Sequence, residues 1–341
     1  MYSMSREDIL SPEREEGEIA YEESIRPRTL NDFIGQDRIK ENLRVFIESA
    51  KKRNSVLDHI LISGPPGLGK TTMAKIIANE MGANFIYTVS NTFQKVGDLV
   101  AILTNLQKGD ILFIDEIHRL KPVFEEVLYS AMEDFSVSIM IGEGPGAKSI
   151  KIKIPEFTLI GATTRVGLLT SPLLSRFGIV FRFDFYSTEE LKKICYRTAK
   201  ILGLSLSHES AEEIAKRSRG TPRILNRIIR RIRDFAVVSG VKEINKEFVD
   251  NILSRLSIDS EGLDEVDRKI LLTLIEKYQG GPVGLKTIAA SIGEEEETIE
   301  DVYEPFLIMK GFIKRTPKGR VATELAYRHL NIDKGGEKSL F

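Results

Sequence analysis

Tryptophan is absent from this chain, and cysteine occurs once, as Cys195, among its 341 residues. A single cysteine cannot form an internal disulfide, which is typical of proteins in a reducing cytoplasm. Because Cys195 lies in a helical pattern with no histidine or acid at motif spacing, we interpret it as a structural residue. Apolar runs that approach the roughly 20 residues of a membrane span are also missing. Residues 1–8 lack the apolar core of a signal peptide, so we expect a cytoplasmic protein with no membrane partner.

An excess of charge of either sign is likewise missing. The chain has 49 Lys and Arg against 50 Asp and Glu, a formal net charge of −1, which argues against a nucleic-acid binder that is basic over its whole surface. Any contact with DNA must therefore come from a local patch. With 42% hydrophobic and 29% charged residues, the composition predicts a soluble globular protein of roughly two or three domains.

A complete phosphate-binding loop is present at residues 64–71, which match G-x-x-x-x-G-K-[ST] at every fixed position. An apolar strand, residues 60–62, enters this loop, and a helical pattern that starts at Thr71 leaves it. Glycines at 64, 67 and 69 let backbone N–H groups turn towards a polyanion, beside the positive end of the helix dipole. Lys70 is a cation for the β- and γ-phosphates, and the Thr71 hydroxyl is a ligand for Mg²⁺.

Strands and helices alternate on both sides of this loop. The pattern predicts helices at residues 37–51, from 71 to before Gly82, at 96–107 and at 124–134, and further strands at 85–89, 111–114, 157–162 and 179–183. Short apolar strands between helices predict a parallel sheet covered on both faces. From residue 188 to about 257 only helical periodicity remains. The predicted domains are therefore 1–186, 187–257 and 260–341, and the first 20 residues are acidic and polar.

Two adjacent carboxylates, Asp115 and Glu116, follow an apolar strand, at the end where parallel sheets collect their ligands. Asp115 would hold Mg²⁺, and Glu116 would orient and deprotonate the water that attacks the γ-phosphate. Alone, such a pair is often only a helix cap; together with the phosphate loop it is a strong signal. For His118 we favour a structural interpretation over a catalytic one.

Three further positions have both a functional and a structural interpretation. Thr164, after the strand at 157–162, would sense the γ-phosphate, or it would cap the next segment. Arg176, before the last strand, would neutralise a neighbouring subunit's γ-phosphate in the transition state, or it would form a surface ion pair. Arg223 lies in the first turn of a helix that Thr221 caps and Pro222 begins, where it would couple the nucleotide to a movement between domains. The other arginines of that helix, at 227, 230, 231 and 233, form a solvated face or a DNA-binding stripe, and we favour the solvated face.

Two hairpins are predicted. Alternating apolar residues flank a turn at 142–147 and give an inserted β-hairpin at about 136–154. In the last domain, helices at about 264–277, 285–291 and 298–310 precede a basic hairpin at 312–322, the pattern of a winged helix. The wing concentrates positive charge, whereas the helices carry four successive glutamates, 294–297. We therefore predict sequence-independent backbone contacts with DNA by Arg315 and Arg320.

The phosphate loop, the acidic pair, Thr164, Arg176 and the Gly-Thr-Pro-Arg string at 220–223 together resemble the landmarks of the AAA+ ATPases. Strings at residues 32–36, 115–120, 161–165 and 175–178 are similar to those of the RuvB family, bacterial motors of Holliday-junction branch migration. The resemblance runs from about Ile25 to Leu330. It implies an α/β fold with an AAA+ P-loop parallel-sheet domain, a small all-α lid domain and a C-terminal winged-helix domain.

The resemblance also implies an ATP hydrolase coupled to DNA translocation, with ATP/ADP and Mg²⁺ as ligands. Implied partners are Holliday-junction DNA, RuvA, RuvC and five further copies in a hexameric ring, and the implied processes are homologous recombination and DNA repair. Arg176 would act in trans, Thr71 and Asp115 would bind Mg²⁺, and Ile139, Met140 and Ile150 of the inserted hairpin would dock on RuvA; packing of the hairpin on its own domain is the alternative. The implied nucleotide contacts are Ile25, Arg26, Gly67, Gly69, Lys70, Thr71, Thr72, Glu133, Asp134, Phe135, Tyr186 and Arg223.

Two other functions remain open at this point. One is a nucleotide-switched DNA-binding regulator, because AAA+ modules with winged helices also occur in such proteins. The other is clamp loading. The intact pair Asp115 and Glu116, with Arg176, favours sustained ATP turnover over a switch, and the hairpin insertion and the winged helix argue against clamp loading.

Overall fold

The structure, a computed structural model, describes residues 23–141 and 148–333. It divides into two compact units, Met1–Tyr186 and Ser187–Phe341, which are described separately. The acidic N-terminal segment and the turn at 142–147 lie outside the described residues. No helix in the described ranges has the length and apolar character needed to cross a membrane.

In the first unit, helices and strands alternate as the sequence predicts. They are α1 Asp37–Arg53, β1 Ile60–Ser63, α2 Lys70–Met81, β2 Phe85–Val89, α3 Val96–Asn105, β3 Ile111–Asp115, α4 Pro122–Asp134, β4 Ser136–Ile141, β5 Lys148–Lys153, β6 Thr158–Thr163, α5 Ser171–Leu174 and β7 Ile179–Arg182. The predicted end of α2 at Gly82 is confirmed: Gly82 adopts a left-handed conformation, and its N–H is bonded to the carbonyls of Ala78 and Asn79.

Five of these strands form one parallel sheet in the order β2-β3-β6-β1-β7. We call the edge where β1, β3 and β6 end, at Ser63, Asp115 and Thr163, the carboxyl edge, and the opposite edge the amino edge. Strands β1 and β6 are buried along their whole length, as expected for strands covered by helices on both faces.

The amino edge is closed by aromatic packing. His59, directly before β1, lies with its ring 5.5 Å from that of Phe157 and 6.3 Å from that of Phe135. Its Nε2 is 3.0 Å from the carbonyl oxygen of Met132, and its Nδ1 accepts a hydrogen bond from the backbone N–H of Leu159. Burial lowers the pKa of His59, so this imidazole stays neutral and fixes the end of α4 beside the start of β1.

The inserted hairpin consists of β4 and β5, which pair antiparallel with Val137 opposite Ile152 and Ile139 opposite Ile150. Val137 is fully buried in the core of the first unit, whereas Ile150 is 46% and Ile152 37% exposed. The base of the hairpin therefore packs on its own domain, and two apolar residues of β5 face solvent.

The second unit begins with a helical segment, and here the sequence interpretation needs two corrections. Its elements are α6 Thr188–Ile201, β8 Ser205–Leu206, α7 His208–Lys216, α8 Pro222–Ser239, β9 Glu243–Ile244 and α9 Lys246–Arg255. The all-helical prediction missed β8 and β9, which pair in parallel. Thr221 precedes α8 but makes no side-chain cap, because its Oγ1 donates instead to the carbonyl of Ser218.

The remaining elements form a winged helix. They are α10 Glu265–Leu272, continued by the short π-helix Thr273–Lys277, α11 Leu285–Ile292, α12 Glu296–Thr298, the short π-helix Ile299–Tyr303, α13 Glu304–Met309, β10 Ile313–Thr316, β11 Gly319–Ala322 and α14 Glu324–His329. Strands β10 and β11 pair antiparallel with Arg315 opposite Arg320, as predicted for the wing. Helix α14 was not predicted.

A buried ionic cluster joins the helical segment to the winged helix. Arg219, 4% exposed, contacts carboxylate oxygens of Asp264 and Asp267 at 3.1 Å. Its guanidinium also lies 4.3 Å from the ring centroid of Phe306 and 5.5 Å from that of Tyr303. Burial raises the pKa of Asp267 to about 8, against the opposing effect of the Arg219 charge.

Candidate functional site

The phosphate-binding loop lies at the carboxyl edge, between β1 and α2. Gly64 has φ +140°, and a Cβ added to it would lie 2.5 Å from the carbonyl oxygen of Phe183. Gly69 has φ +97° and lies against the ring of Phe33. Both positions therefore favour glycine for their backbone conformation, and at Gly64 the space also excludes a side chain. Gly67 has φ +80°, in the same left-handed region.

Lys70 and Thr71 begin α2 directly after this loop. The Lys70 Nζ donates to the carbonyls of Gly64 at 2.7 Å and Pro65 at 2.9 Å, so the cation bends back over the loop. The Thr71 Oγ1 donates to Asp115 Oδ2 at 3.4 Å, which brings the two predicted Mg²⁺ ligands together. Thr72 follows in the same turn, half-buried.

The acidic pair lies next to the loop, at the end of β3. Glu116 has a left-handed backbone, φ +50°, and its N–H donates to Asp115 Oδ1 at 3.0 Å. The Ser90 hydroxyl donates to the carbonyl of Glu116 at 2.7 Å. Glu116 makes no side-chain cap for the short 3-10 turn that follows, so the cap interpretation of this pair does not apply.

His118 lies beside Glu116, a contact that the sequence did not predict. Its side chain is 3% exposed, with Nδ1 2.9 Å from Thr163 Oγ1 and Nε2 3.4 Å from Glu116 Oε2. The imidazole thus connects the Glu116 carboxylate to the end of β6. The only signal in the sequence was the spacing of two residues between Glu116 and His118.

Thr164 follows β6 at the carboxyl edge. Its Oγ1 is buried and has no hydrogen-bond partner within residues 23–141 and 148–333. The backbone N–H of Arg165 donates instead to Thr163 Oγ1 at 2.9 Å, so Thr164 does not cap the following turn. A buried hydroxyl without a partner usually needs an explanation, and at this position a bound phosphate would supply one.

The segment before α1 packs along the phosphate-loop helix. The backbone of Arg28 accepts a hydrogen bond from Asn79, and that of Leu30 donates to Glu80. Ile25 is buried and Arg26 half-buried. At the end of the unit, the Tyr186 hydroxyl donates to the carbonyl of Leu68 at 3.0 Å. Tyr186 is thus in direct contact with the phosphate loop, and the segment before α1 contacts the helix that follows this loop.

The amino edge of the sheet holds Arg176 and a group of three residues, Glu133, Asp134 and Phe135. Phe135 contacts His59 and Phe157, which directly precede β1 and β6, and Arg176 precedes β7. Arg176 Nη2 contacts Glu133 Oε2 at 2.9 Å, and Asp134 pairs with Lys151 of the hairpin. The four residues of β1, about 13 Å of strand at 3.3 Å per residue, separate this group from the phosphate loop of the same chain.

In the second unit, Arg223 is an exposed residue in the first turn of α8. The two predicted DNA-binding arginines differ in environment. Arg320 forms a bidentate pair with the buried Glu304, at 3.1 and 2.8 Å, and its side chain is only 12% exposed. Arg315 is 56% exposed and pairs with Glu300. Of the predicted partner-binding residues, Ile150 is exposed, whereas the side chains of Ile139 and Met140 lie outside the described part of the structure.

The carboxyl-edge residues fit a magnesium nucleotide better than a free metal ion. Within the described ranges, no three His, Cys, Asp or Glu side chains come together as a metal site. Magnesium commonly uses one or two protein ligands and completes its shell with phosphates and water. Thr71 and Asp115 meet that requirement. Cys195 is buried, and burial raises its pKa to about 12, which supports its structural interpretation.

Comparison with known proteins identifies relatives for almost the whole described chain. Three protein-family models match in succession: the Holliday junction DNA helicase RuvB P-loop domain over residues 25–183, the RuvB AAA lid domain over 186–259 and the RuvB C-terminal winged helix domain over 260–331. Among solved structures, the RuvB Holliday junction branch migration motor of Thermotoga maritima is 52% identical, with a TM-score of 0.85, and the match covers 91% of this chain and 99% of that one. An arginine-to-alanine mutant of the T. maritima protein matches at 51% identity and a TM-score of 0.84, over 91% and 99% of the two chains.

Proposed function

Because this chain belongs to the RuvB family of Holliday junction helicases and ATPases, we propose that it uses ATP hydrolysis between neighbouring subunits to drive branch migration of Holliday junctions. Its P-loop, lid and winged-helix domains follow one another as in that family. The observation that carries the proposal is the placement of Glu116 and Arg176 at opposite edges of one sheet.

We propose that the carboxyl edge binds ATP with Mg²⁺. Lys70 would leave the carbonyls of Gly64 and Pro65 for the phosphates, and Gly67, Gly69 and Thr72 would line the loop. Thr71 and Asp115 would hold Mg²⁺, which neutralises charge on the phosphates when bound. Around the base, the proposed contacts are Ile25, Arg26 and Tyr186. Arg223 is proposed as a second sensor.

Hydrolysis needs a base and a group that senses the γ-phosphate. Glu116 would orient the attacking water and accept its proton. Its contact with the buried His118 supports this role, because that contact restricts the carboxylate. The buried hydroxyl of Thr164, without a partner among the described residues, supports its role as the sensor.

We propose that the arginine that completes this site comes from another copy of the chain. Arg176 is held at the amino edge by Glu133, and the height of the sheet separates it from its own phosphate loop. A second copy that presents its amino edge to this carboxyl edge would bring in Arg176 together with Glu133, Asp134 and Phe135. Head-to-tail contacts of this kind form a ring when the rotation from copy to copy closes, and from the family resemblance we propose a ring of six.

The two hairpins are the proposed contacts with partners. The exposed Ile150 and Ile152 of β5 support docking of the hairpin on RuvA, with Ile139 opposite Ile150 in register. Wing residues Arg315 and Arg320 are the proposed contacts with the DNA backbone. Four further points stay predictions: action in recombination and repair, contact with RuvC, a cytoplasmic localisation, and domain boundaries near residues 187 and 260.

Dissociation of a synthetic Holliday junction, with RuvA added, tests the proposal. Wild type should dissociate the junction and consume ATP faster on DNA. Glu116→Gln should still bind ATP but lose hydrolysis by at least about 100-fold, because it lacks the base. A nucleotide-switched regulator would instead hydrolyse slowly and leave the junction intact, and that result would overturn the motor function.

A further inference from the structure

We propose that Tyr129 is a positioning residue for Arg176, and that three residues on one face of α4 form a cradle for its guanidinium. Glu125, Tyr129 and Glu133 follow one another at intervals of four, so they lie along one side of the helix. We call these three residues the α4 cradle. The inference rests on the proposed function, because it concerns how Arg176 is presented to a neighbouring subunit.

The contacts of Arg176 define its direction. Its guanidinium carbon lies 4.6 Å from the centroid of the Tyr129 ring, within the range of a cation–π interaction. Nη2 donates to Glu133 Oε2 at 2.9 Å, and Nη1 donates to the carbonyl of Pro172 at 2.7 Å. Nε is buried and has no partner among the residues that the structure describes. The Tyr129 ring thus supports one face of the guanidinium, and hydrogen bonds hold Nη1 and Nη2.

A second set of contacts fixes Tyr129. Its hydroxyl donates to Oε2 of the buried Glu125 at 3.0 Å and lies 2.9 Å from Thr170 Oγ1. Thr170 also donates to Glu125 and accepts from the N–H of Leu173, as the N-cap of α5. Because α5 leads directly to Arg176, the same threonine fixes both the backbone before the arginine and the ring under it.

The cradle reduces the conformational freedom of the Arg176 side chain. Arginine is long and has many rotamers, so an unrestrained side chain would lose conformational entropy each time it met a phosphate. A charge that is already in place stabilises a transition state without that reorganisation. An exposed arginine held only by Glu133 would lack such restraint, because exposed ion pairs are weak and the Glu133 side chain is 65% exposed. Tyr129 supplies the rigid part of the cradle.

Steady-state ATP hydrolysis on DNA gives the first test. Tyr129→Leu removes the ring and should lower kcat roughly 5- to 30-fold while KM stays within about twofold, because Tyr129 itself is not among the proposed nucleotide contacts. Tyr129→Phe keeps the ring and should retain most of kcat. Arg176→Ala removes the guanidinium itself and should show the full loss of kcat, at least about 100-fold. Tyr87→Leu, which removes an exposed tyrosine of the same domain, is the matched control and should behave as wild type.

Mixed rings separate a positioning role from a general loss of structure. A ring of Tyr129→Leu and Glu116→Gln subunits contains sites with an intact Glu116 from one chain and an intact Arg176 from the next, so it should recover hydrolysis. A ring of Tyr129→Leu and Arg176→Ala subunits contains no site with a well-placed arginine and should not recover. Native mass spectrometry would verify that both variants enter the rings.

Different results would contradict the role of Tyr129 and the role of Arg176. If Tyr129→Leu keeps kcat within twofold of wild type, or if it is rescued by Arg176→Ala instead of Glu116→Gln, Tyr129 does not act through Arg176. If Glu116→Gln and Arg176→Ala themselves fail to complement each other, Arg176 does not act in trans. In that case the proposed active site shared between two chains is wrong, and the proposed role of the α4 cradle is wrong as well.

Discussion

At the residue scale, His118 shows how a side chain can be placed by contacts that a sequence pattern does not contain. Its imidazole lies between Glu116 and Thr163, and almost none of its side chain is exposed. A carboxylate that must hold a water molecule in line benefits from such a partner, because a small misplacement of a base is costly in rate. We interpret His118 as an orienting partner of Glu116.

Replacement of His118 tests this interpretation. His118→Ala should lower kcat for ATP roughly 10- to 100-fold and leave KM within about twofold, since the Glu116 carboxylate would lose an orienting contact while the phosphate loop stays intact. Steady-state hydrolysis measures both constants. His208→Ala, at an exposed histidine of α7, is the control. A kcat for His118→Ala equal to that of wild type would contradict the interpretation.

Motif residues could be predicted from the sequence, whereas their supporting residues could not. Lys70, Thr71 and Asp115 follow from local spacing, and the structure places them together at one edge. His118 meets Thr163 across 45 residues, and Tyr129 meets Thr170 across 41. Neither contact produces a local sequence pattern, because each depends on how elements that are distant in sequence pack against one another.

At the scale of elements, the wing differs from a simple basic surface. Arg320 pairs with Glu304, which is 2% exposed, and a buried pair of this kind holds β11 against α13. Arg315 stands on β10 with most of its side chain exposed, beside Glu300. We therefore expect the two arginines to contribute differently: Arg315 chiefly through contact with phosphate, and Arg320 chiefly through the shape of the wing.

Affinity for duplex DNA, measured over a range of salt concentrations, separates these roles. Arg315→Ala should weaken binding and reduce the magnitude of the salt slope by about one unit, the effect of one lost phosphate contact. Glu300→Gln should strengthen binding about two- to fivefold, because the acid that competes with phosphate for Arg315 loses its charge. Glu295→Gln removes the same charge from an exposed position in the same domain and serves as the control.

Arg320→Ala should lower the melting temperature of the protein by several degrees, because truncation removes the bidentate partner of the buried Glu304 carboxylate and leaves it only a 3.7 Å contact with Arg315. Equal effects of Glu300→Gln and Glu295→Gln on DNA affinity would show that only total charge matters at the wing. An unchanged melting temperature for Arg320→Ala would show that its pair with Glu304 does not support the wing.

Long elements were predictable and very short ones were not. The sheet strands and the helices that cover them have clear apolar patterns, so their order and type agree with the sequence interpretation. Strands β8 and β9 have two residues each, which is too short for any periodicity to appear. Thr221 has the residue type of a cap, yet its hydroxyl donates to the carbonyl of Ser218, because a backbone acceptor three residues earlier competes with the capping bond.

At the scale of the whole molecule, the cluster of Arg219, Asp264 and Asp267 joins the lid to the winged helix within one compact unit. Charged residues are rarely this buried, and nothing in the pattern around residue 219 predicted it. Three domains were predictable from the change in element type. The ionic contact between two of them was not, because its residues are 45 and 48 positions apart.

Stability should depend on pH through Asp267. In the folded chain its pKa is raised to about 8 by burial, against an ordinary value of 3.8. Between these values the folded state binds more protons than the unfolded state, so the free energy of unfolding falls as pH rises. The stabilising contribution is complete below about pH 4 and is lost as pH passes about 8.

Denaturant unfolding of wild type and Asp267→Asn at pH 5, 7 and 9 measures this contribution. The asparagine cannot titrate, so the free energy of unfolding of wild type relative to the variant should fall with pH, by at most about 1.4 kcal/mol per unit. Asp234→Asn, on the surface of α8, should follow wild type at every pH. Parallel curves for wild type and Asp267→Asn would contradict the raised pKa.

The separation of Glu116 from Arg176 across one sheet has a genetic consequence. If every active centre is assembled from halves of two chains, a lone copy is inert at any ATP concentration, and activity must rise steeply as dilute protein is concentrated. A cell that carries one normal and one Arg176→Ala allele would build mixed rings in which each altered copy silences its neighbour. Hydrolysis in such rings would fall in proportion to the share of altered copies, each of which still binds ATP and is active wherever its neighbour supplies an intact Arg176.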